Sequence, residues 1–360
     1  FPTSLPKAGI RLFDGMPGTR RKQPTGGGAS ISVFPPFPLE RVQLLREQKV
    51  SESDPRRPAG LSAFLACMAL SFVWGLQQVA IKAAGPDFSP LFQTGLRSGV
   101  AAALLIIANA FLLHEKWKQV SPKAFLAIAL SFAGEFFFVS EGLRWTTASH
   151  MSVLLYTAPF FAAIGLSAKL PEERLTALQW AGLLAAFSGI AVAFLLPALL
   201  AGDNPESSLW LLGDALGLMA GVSWGLTTIL LRTTSMNGAP ATQMAFAQLL
   251  GGFAVLTPAA LLTGQSHFAP TFVSCSSFLF QALIVCFASY LVWNRLLRIY
   301  PASQLGIFVL ATPIFGVALS VLLLGDSLNA LFFAGTLLVF AGLLMVQWRT
   351  IRAFLAGRRR

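Results

Sequence analysis

The chain has 360 residues, of which 55% are hydrophobic and only 11% are charged, and this composition excludes an ordinary soluble globular protein. Its net charge of +11 would by itself be compatible with nucleic-acid binding. The positions of the charges exclude that class, because 15 of the 26 Lys and Arg residues lie in 1–60 or 349–360. The stretch 61–348 holds only eleven cations and ten acids, which is typical of a chain that lies in lipid.

The two ends of the chain are basic tails. Residues 1–60 contain three consecutive glycines, scattered charges and no apolar run of signal-peptide length, which predicts a disordered cytoplasmic tail. Val50 is an alternative start if translation uses a Val-type start codon, and the residues before it would then be absent from the native product. Residues 349–360 are expected to bind anionic lipid headgroups.

Ten apolar runs of about twenty residues fill the chain from residue 61 onward, each long enough to cross a hydrocarbon core of about 30 Å as a helix. We therefore predict an all-α polytopic membrane protein with ten transmembrane helices. Lys and Arg are concentrated in the loops on the side of the tails, which predicts cytoplasmic termini in a cell membrane, the inner membrane for a bacterial chain. The predicted spans are 61–82, 90–113, 122–144, 148–168, 176–197, 209–231, 240–263, 275–297, 301–324 and 329–348.

The chain also repeats itself at shifts of 150 to 154 residues, which divides the spans into a first five-helix unit, 61–197, and a second, 209–348. Because five is odd, the second unit must enter the membrane upside down, giving the inverted repeat typical of secondary transporters. The matching pairs include Trp74 and Trp224, Gly75 and Gly225, Pro159 and Pro313, Gly182 and Gly335, and Gly189 and Gly342.

A small residue stands at every fourth position of the first helix in each unit. Small residues let helix backbones approach closely in lipid, so these stripes predict packing seams. The positions are Ala63, Cys67, Ser71 and Gly75 in the first unit and Gly213, Gly217, Gly221 and Gly225 in the second.

Two ionisable residues are predicted to lie deep in the membrane, where charge is costly and indicates function. Glu135 lies about 13 Å, and Arg97 about 10 Å, from the outer ends of their spans at 1.5 Å per residue. One interpretation is a structural ion pair between them. The other is that Glu135 takes up a proton during transport when Arg97 moves away, because burial disfavours the charged carboxylate. The two interpretations do not exclude each other.

Residues in the middle of the spans are candidates for lining a substrate cavity. Pro159 and Pro313 occupy equivalent positions, and each is expected to kink its helix at mid-membrane, in the manner of the interrupted helices that mark transporter binding sites. Aromatic and polar side chains supply the remaining candidates. These are Trp74, Gln78, Tyr156, Trp224, Thr228, Gln248 and Tyr290.

The ordered motifs of the first unit resemble the EamA-type repeat, two copies of which make a member of the drug/metabolite transporter superfamily. The motifs are Trp74-Gly75 followed by Lys82, Gly95-Leu96-Arg97, Pro159, Glu173-Arg174-Leu175, Gly182 and Gly189. The second unit departs from the pattern, with Asp326-Ser327-Leu328 in place of Glu-Arg-Leu and Gln248 near where Arg97 would fall. The resemblance implies a carrier that exports small metabolites, amino acids or drugs, usually in exchange for protons.

Several alternatives stay open at the level of sequence. One is an exchanger of phosphorylated metabolites or nucleotide sugars, which would want several deep cations. Another is a non-transporting membrane scaffold. An enzyme is not expected, because clustered histidines or carboxylates are missing from the pattern, and no metal spacing or cofactor motif is present. The expected partners are a small-molecule substrate, membrane lipid and protons, and a homodimer is left open.

Overall fold

The computed structural model describes residues 60–170, 174–200, 205–300, 305, 308–348 and 351–352. The predicted tails lie outside the described residues, apart from Gly60, Ile351 and Arg352. The described part is helical, with one isolated bridge between Phe88 and Phe268, in agreement with the all-α prediction. The helices are α1 (Leu61–Ala84), α2 (Pro90–Leu113), α3 (Pro122–Trp145), α4 (Ala148–Leu155), α5 (Ala158–Lys169), α6 (Ala177–Leu195), α7 (Pro205–Thr233), α8 (Ala241–Leu262), α9 (272–299), α10 (Thr312–Leu324) and α11 (Ala330–Val346).

Eight helical stretches among the described residues are long and apolar enough to cross a membrane, with α4 and α5 counted as one stretch. Two further apolar helices are shorter, Val309–Leu324 and Ala330–Val346. The count of ten full spans therefore stays a prediction. Large apolar side chains are exposed along these helices, as expected for a surface that faces lipid; Leu184, Leu322 and Leu337 are examples.

Helices α6 and α11 pack backbone to backbone through four glycines. A Cβ atom added at Gly182 would lie 2.8 Å from the carbonyl oxygen of Gly342, and one at Gly189 would lie 2.8 Å from the backbone nitrogen of Val339, beside Gly335. From one contact to the next, the residue number rises on α6 and falls on α11. The two helices are thus antiparallel, and their separation leaves no room for a larger residue at either contact.

Helices α2 and α8 are held together by the loops at their ends. The amide of Gln243, in the first turn of α8, bonds the backbone of Lys118 at 2.8 and 3.0 Å, in the loop that follows α2. The backbone oxygen of Asp87, just before α2, accepts a bond from the backbone of Ala269 at 2.6 Å, in the loop that follows α8. Each loop therefore binds the start of the other helix, and the pair is antiparallel.

The stripe of small residues on α7 forms the packing seam that the sequence predicts. A Cβ atom at Gly213 would lie 2.6 Å from the backbone nitrogen of Thr146, and one at Gly225 would lie 3.0 Å from the carbonyl oxygen of Ala158. On α1, Ala63, Cys67 and Ser71 are fully buried. The close approach brings α7 against the end of α3 and the start of α5.

The regular α-helix is interrupted just before each of the two mid-span prolines, at the positions where the sequence predicts kinks. The stretch 148–169 stops being helical at Tyr156 and Thr157, and Pro159 lies in the first turn of α5. Pro313 likewise lies in the first turn of α10, after a 3-10 turn at Val309–Ala311. Proline is well tolerated in a first turn because the N–H it lacks would have no partner there. A break therefore removes the clash that a continuous helix would suffer.

Candidate functional site

Glu135 and Arg97 are both buried, on α3 and α2, with 6% and 0% of their surfaces exposed. The structure contains no ion pair between them within 4.0 Å, so the direct pair predicted from the sequence is not formed in this conformation. They are nevertheless close enough to interact electrostatically. The guanidinium of Arg97 lies over the ring of Phe136, 4.5 Å from its centroid, in a cation–π contact.

A chain of buried amides orients Arg97. Its Nη1 atom donates to Oε1 of Gln281 at 2.8 Å. The Nε2 atom of Gln281 donates to Oε1 of Gln93 at 2.7 Å and to Oγ of Ser277 at 2.8 Å, so its oxygen must face the arginine. Gln93 in turn donates to the backbone oxygen of Phe88 at 3.0 Å. Neither glutamine is among the predicted site residues, because the only sequence signal for each is an amide side chain in an otherwise apolar span.

Aromatic side chains surround the same region. Tyr156 lies at the break between α4 and α5, and its ring meets Trp224 edge to face at 5.1 Å. Tyr156 and Tyr290 both lie within electrostatic range of Glu135. The structure therefore brings together Glu135, Arg97 and the two tyrosines from four different stretches of the chain.

Trp74 belongs to an adjacent group on α1 and α9. Its Nε1 atom donates to Oγ of Ser289 at 2.9 Å, and its ring meets Trp293 edge to face at 5.6 Å. Ser289 lies in a π-helical stretch, Phe280–Ser289, that also carries Gln281. Such irregular stretches of helix are frequent at functional sites.

The other predicted cavity residues are less tightly placed. Gln78 is buried on α1, and its Oε1 atom has no hydrogen-bond partner among the described residues. The hydroxyl of Thr228 donates to the backbone oxygen of Trp224 in its own helix at 3.2 Å. Gln248 is half-buried on α8. Pro159 and Pro313 lie next to the breaks described above.

A second polar cluster lies at one end of the bundle, where α3 meets α4. The Nζ atom of Lys82 donates to the backbone oxygens of Leu143 at 2.5 Å and Thr146 at 2.9 Å. The hydroxyl of Thr146 donates to Oδ1 of Asp214 at 2.5 Å, and Nδ1 of His150 lies 2.9 Å from the same oxygen. A cavity of about 290 Å³ lies beside His150 and Asp214. No local pattern in the sequence predicts the pairing of His150 with Asp214.

Comparisons with known proteins agree with this architecture. A model of the EamA-like transporter family matches residues 61–195 and again residues 211–348. A "Probable amino-acid metabolite efflux pump" of Salmonella typhimurium is 27% identical over 78% of this chain and 92% of its own length. The protein of the same description in Escherichia coli is 26% identical over 77% and 93%.

A further relative is an "Uncharacterized transporter" of Archaeoglobus fulgidus, 26% identical over 76% of this chain and 94% of its own. A solved crystal structure superposes with a TM-score of 0.54, covering 79% of this chain and 96% of the other at 20% identity. At that identity the likeness concerns the fold alone.

Proposed function

The chain belongs to the EamA-like transporter family, and on that premise we propose that it is a secondary-active exporter of small metabolites, amino acids or drugs. It is an integral multi-pass membrane protein, as its apolar helices and its family indicate. In the proposed mechanism the substrate binds among Glu135, Arg97, Tyr156 and Tyr290. The relatives described as amino-acid metabolite efflux pumps support export as the direction.

Alternating access would require two inverted halves, and the glycine contacts support that arrangement. A Cβ atom at Gly75 would lie 2.7 Å from the backbone nitrogen of Gly316, and one at Gly225 would lie 3.1 Å from the backbone nitrogen of Ala162. Gly75 and Gly225 differ by 150 positions, and 162 and 316 differ by the 154 that separates the two helix-breaking prolines. The first and fourth spans of each unit therefore meet in the same way, with the units exchanged.

Proton coupling through Glu135 is the second part of the proposal. A carboxylate inside an apolar bundle is expensive to keep charged, and among the described residues Glu135 has no ion-pair partner within 4.0 Å. This is the observation that carries the proposal, because a purely structural carboxylate would be expected to bond its neighbour. Uptake of a proton by Glu135 would neutralise its carboxylate and leave the positive charge of Arg97 unbalanced, and release of the proton would restore the negative charge that interacts with Arg97.

The test is counterflow and pH-driven transport in proteoliposomes, with a panel of amino acids, other metabolites and cationic drugs. We expect Glu135→Gln to abolish accumulation driven by a pH gradient while solute exchange continues. The matched control is Glu141→Gln, an acid on the same helix whose Oε2 is bonded by the exposed Arg144 at 2.7 Å. Unchanged pH dependence in Glu135→Gln would contradict the coupling. If the folded protein moves no solute at all, a membrane scaffold is favoured instead.

The orientation of the bundle is also proposed. Both termini would lie in the cytoplasm, since Lys and Arg concentrate in the loops on that side, and the membrane would be the inner membrane of a bacterium. The cluster of Lys82, Thr146 and Asp214 would then face outward. Single cysteines placed at Gly60 and at Gly264 can be labelled with an impermeant reagent in intact cells. If the termini are cytoplasmic, only the cysteine at position 264 should react, so the labelling distinguishes the two orientations.

A further inference from the structure

The guanidinium group of Arg97 is hydrogen-bonded at one nitrogen, and the edge formed by its other two nitrogens, the free edge, has no partner among the described residues. Nη1 donates to Gln281, whereas Nε and Nη2 are buried and have no hydrogen-bond partner among the described residues. The N–H of Nε and the nearer N–H of Nη2 point in the same direction, side by side. This is an edge that a carboxylate can bind with both of its oxygens.

The free edge is not an accident of a loose side chain. Both amide hydrogens of Gln281 are used by Gln93 and Ser277, which fixes its oxygen toward Nη1. The ring of Phe136 supports one face of the guanidinium. Buried donors without partners are costly, and their position inside the bundle makes them candidates for binding an acceptor.

We propose that the Nε–Nη2 edge of Arg97 binds the carboxylate of the transported solute. This inference rests on the transport function proposed above and gives its substrate class, a small solute with one carboxylate, such as an amino acid. Two other cations of the first unit are already engaged: Lys82 bonds two backbone oxygens and Arg144 bonds Glu141. A single free edge matches one carboxylate better than a phosphate dianion, which would want several donors.

Glu135 gives the site its link to protons. A charged Glu135, within electrostatic range of Arg97, would attract the ammonium group of a zwitterionic solute whose carboxylate is bound by the arginine. Protonation of Glu135 removes that attraction and favours release of the solute, so the proton and the solute occupy the site in turn, as exchange requires. The aromatic rings of Tyr156, Trp224 and Tyr290 then face the rest of the solute.

The experiment compares L-leucine, L-phenylalanine and L-serine, each with its own carboxamide, on the full-length protein. Two measurements are made, counterflow in proteoliposomes and the rise in melting temperature of the purified protein in detergent. The variants are Arg97→Lys, which keeps the charge and loses the edge, and the control Arg144→Lys, at an exposed arginine. We expect at least one acid to bind and move at least about tenfold better than its amide. We expect Arg97→Lys to raise the KM for that acid about tenfold, with little change in kcat. Arg144→Lys should behave as wild type.

Three results would overturn the inference. In the first, the wild type binds and moves each acid and its amide equally well. In the second, Arg97→Lys keeps the wild-type preference for the acid over the amide. In the third, no acid raises the melting temperature. The first two leave the proposed transport function standing, since solute still moves. Failure of the transport function is recognised separately, as the absence of counterflow for every solute in the wider panel.

Discussion

The carboxylate of Asp326, in the loop between α10 and α11, accepts a hydrogen bond from the backbone N–H of Ser149 at the start of α4, 3.1 Å away. The hydroxyl of Ser320 also donates to it, and Lys82 on α1 is close enough to attract it. One carboxylate therefore ties the second half of the chain to the first at a single end of the bundle. Opening that end would require these bonds to separate.

Removing this carboxylate should loosen the bundle. Asp326→Ala deletes the acceptor and the charge and should lower the free energy of unfolding by about 1–3 kcal/mol, the scale for hydrogen bonds to charged groups. Asp326→Asn keeps an acceptor and should cost less. Thermal unfolding in detergent measures the order of the two variants, with Arg144→Lys, at an exposed arginine, as the control expected to change little. Equal melting temperatures for all three variants would contradict the role given to Asp326.

Asp214 is expected to matter more than the histidine it bonds. Asp214→Ala leaves the hydroxyl of Thr146 and the imidazole of His150 without their acceptor, at a cost of about 1–3 kcal/mol. His150→Phe removes one bond only and keeps the stacking on Phe332, whose ring lies 5.1 Å away and nearly parallel. The melting temperature should therefore fall further in Asp214→Ala. A larger fall in His150→Phe would show that the imidazole has a contact beyond these.

A methyl group at the α6–α11 contact should be poorly tolerated. Gly182→Ala would place its Cβ 2.8 Å from the carbonyl oxygen of Gly342, so the helices must separate, at a cost of about 1–3 kcal/mol. The matched control is Gly134→Ala, whose Cβ would meet Oγ of Ser223 at an ordinary 3.5 Å. Chemical denaturation of the two variants tests the difference. Equal stability would mean that α6 and α11 adjust without strain.

The break before α5 should be needed for turnover more than for folding. Pro159→Ala restores a backbone N–H and removes the clash that keeps α4 and α5 apart, so the helix can extend through Tyr156. We expect the variant to keep its melting temperature and to lose at least about tenfold in the rate of counterflow, because the position of Tyr156 changes. A wild-type rate with a continuous helix, as judged by a solved structure, would remove the break from the mechanism.

The sequence alone predicts the apolar spans and the internal repeat, but it does not predict which distant side chains bond each other. The runs of apolar residues and the pairing of Pro159 with Pro313 were visible because they are local or periodic. A proline in a span does not distinguish a kink from a break, which depends on how the preceding turn packs. The bonds from Gln281 to Arg97 and from His150 to Asp214 join residues 184 and 64 positions apart, and no local pattern encodes them.

The α6–α11 contact has the form of a two-fold interface inside one polypeptide. Gly182 meets Gly342 as Gly189 meets Gly335, so exchanging the partners reproduces the same contact, which is the defining property of an isologous dimer. The loops that bind the starts of α2 and α8 follow the same exchange. A surface that is complementary to itself does not depend on the covalent link between the halves. Two half-length chains, cut in the connection after residue 200, have the contacts required to reassemble as a pair.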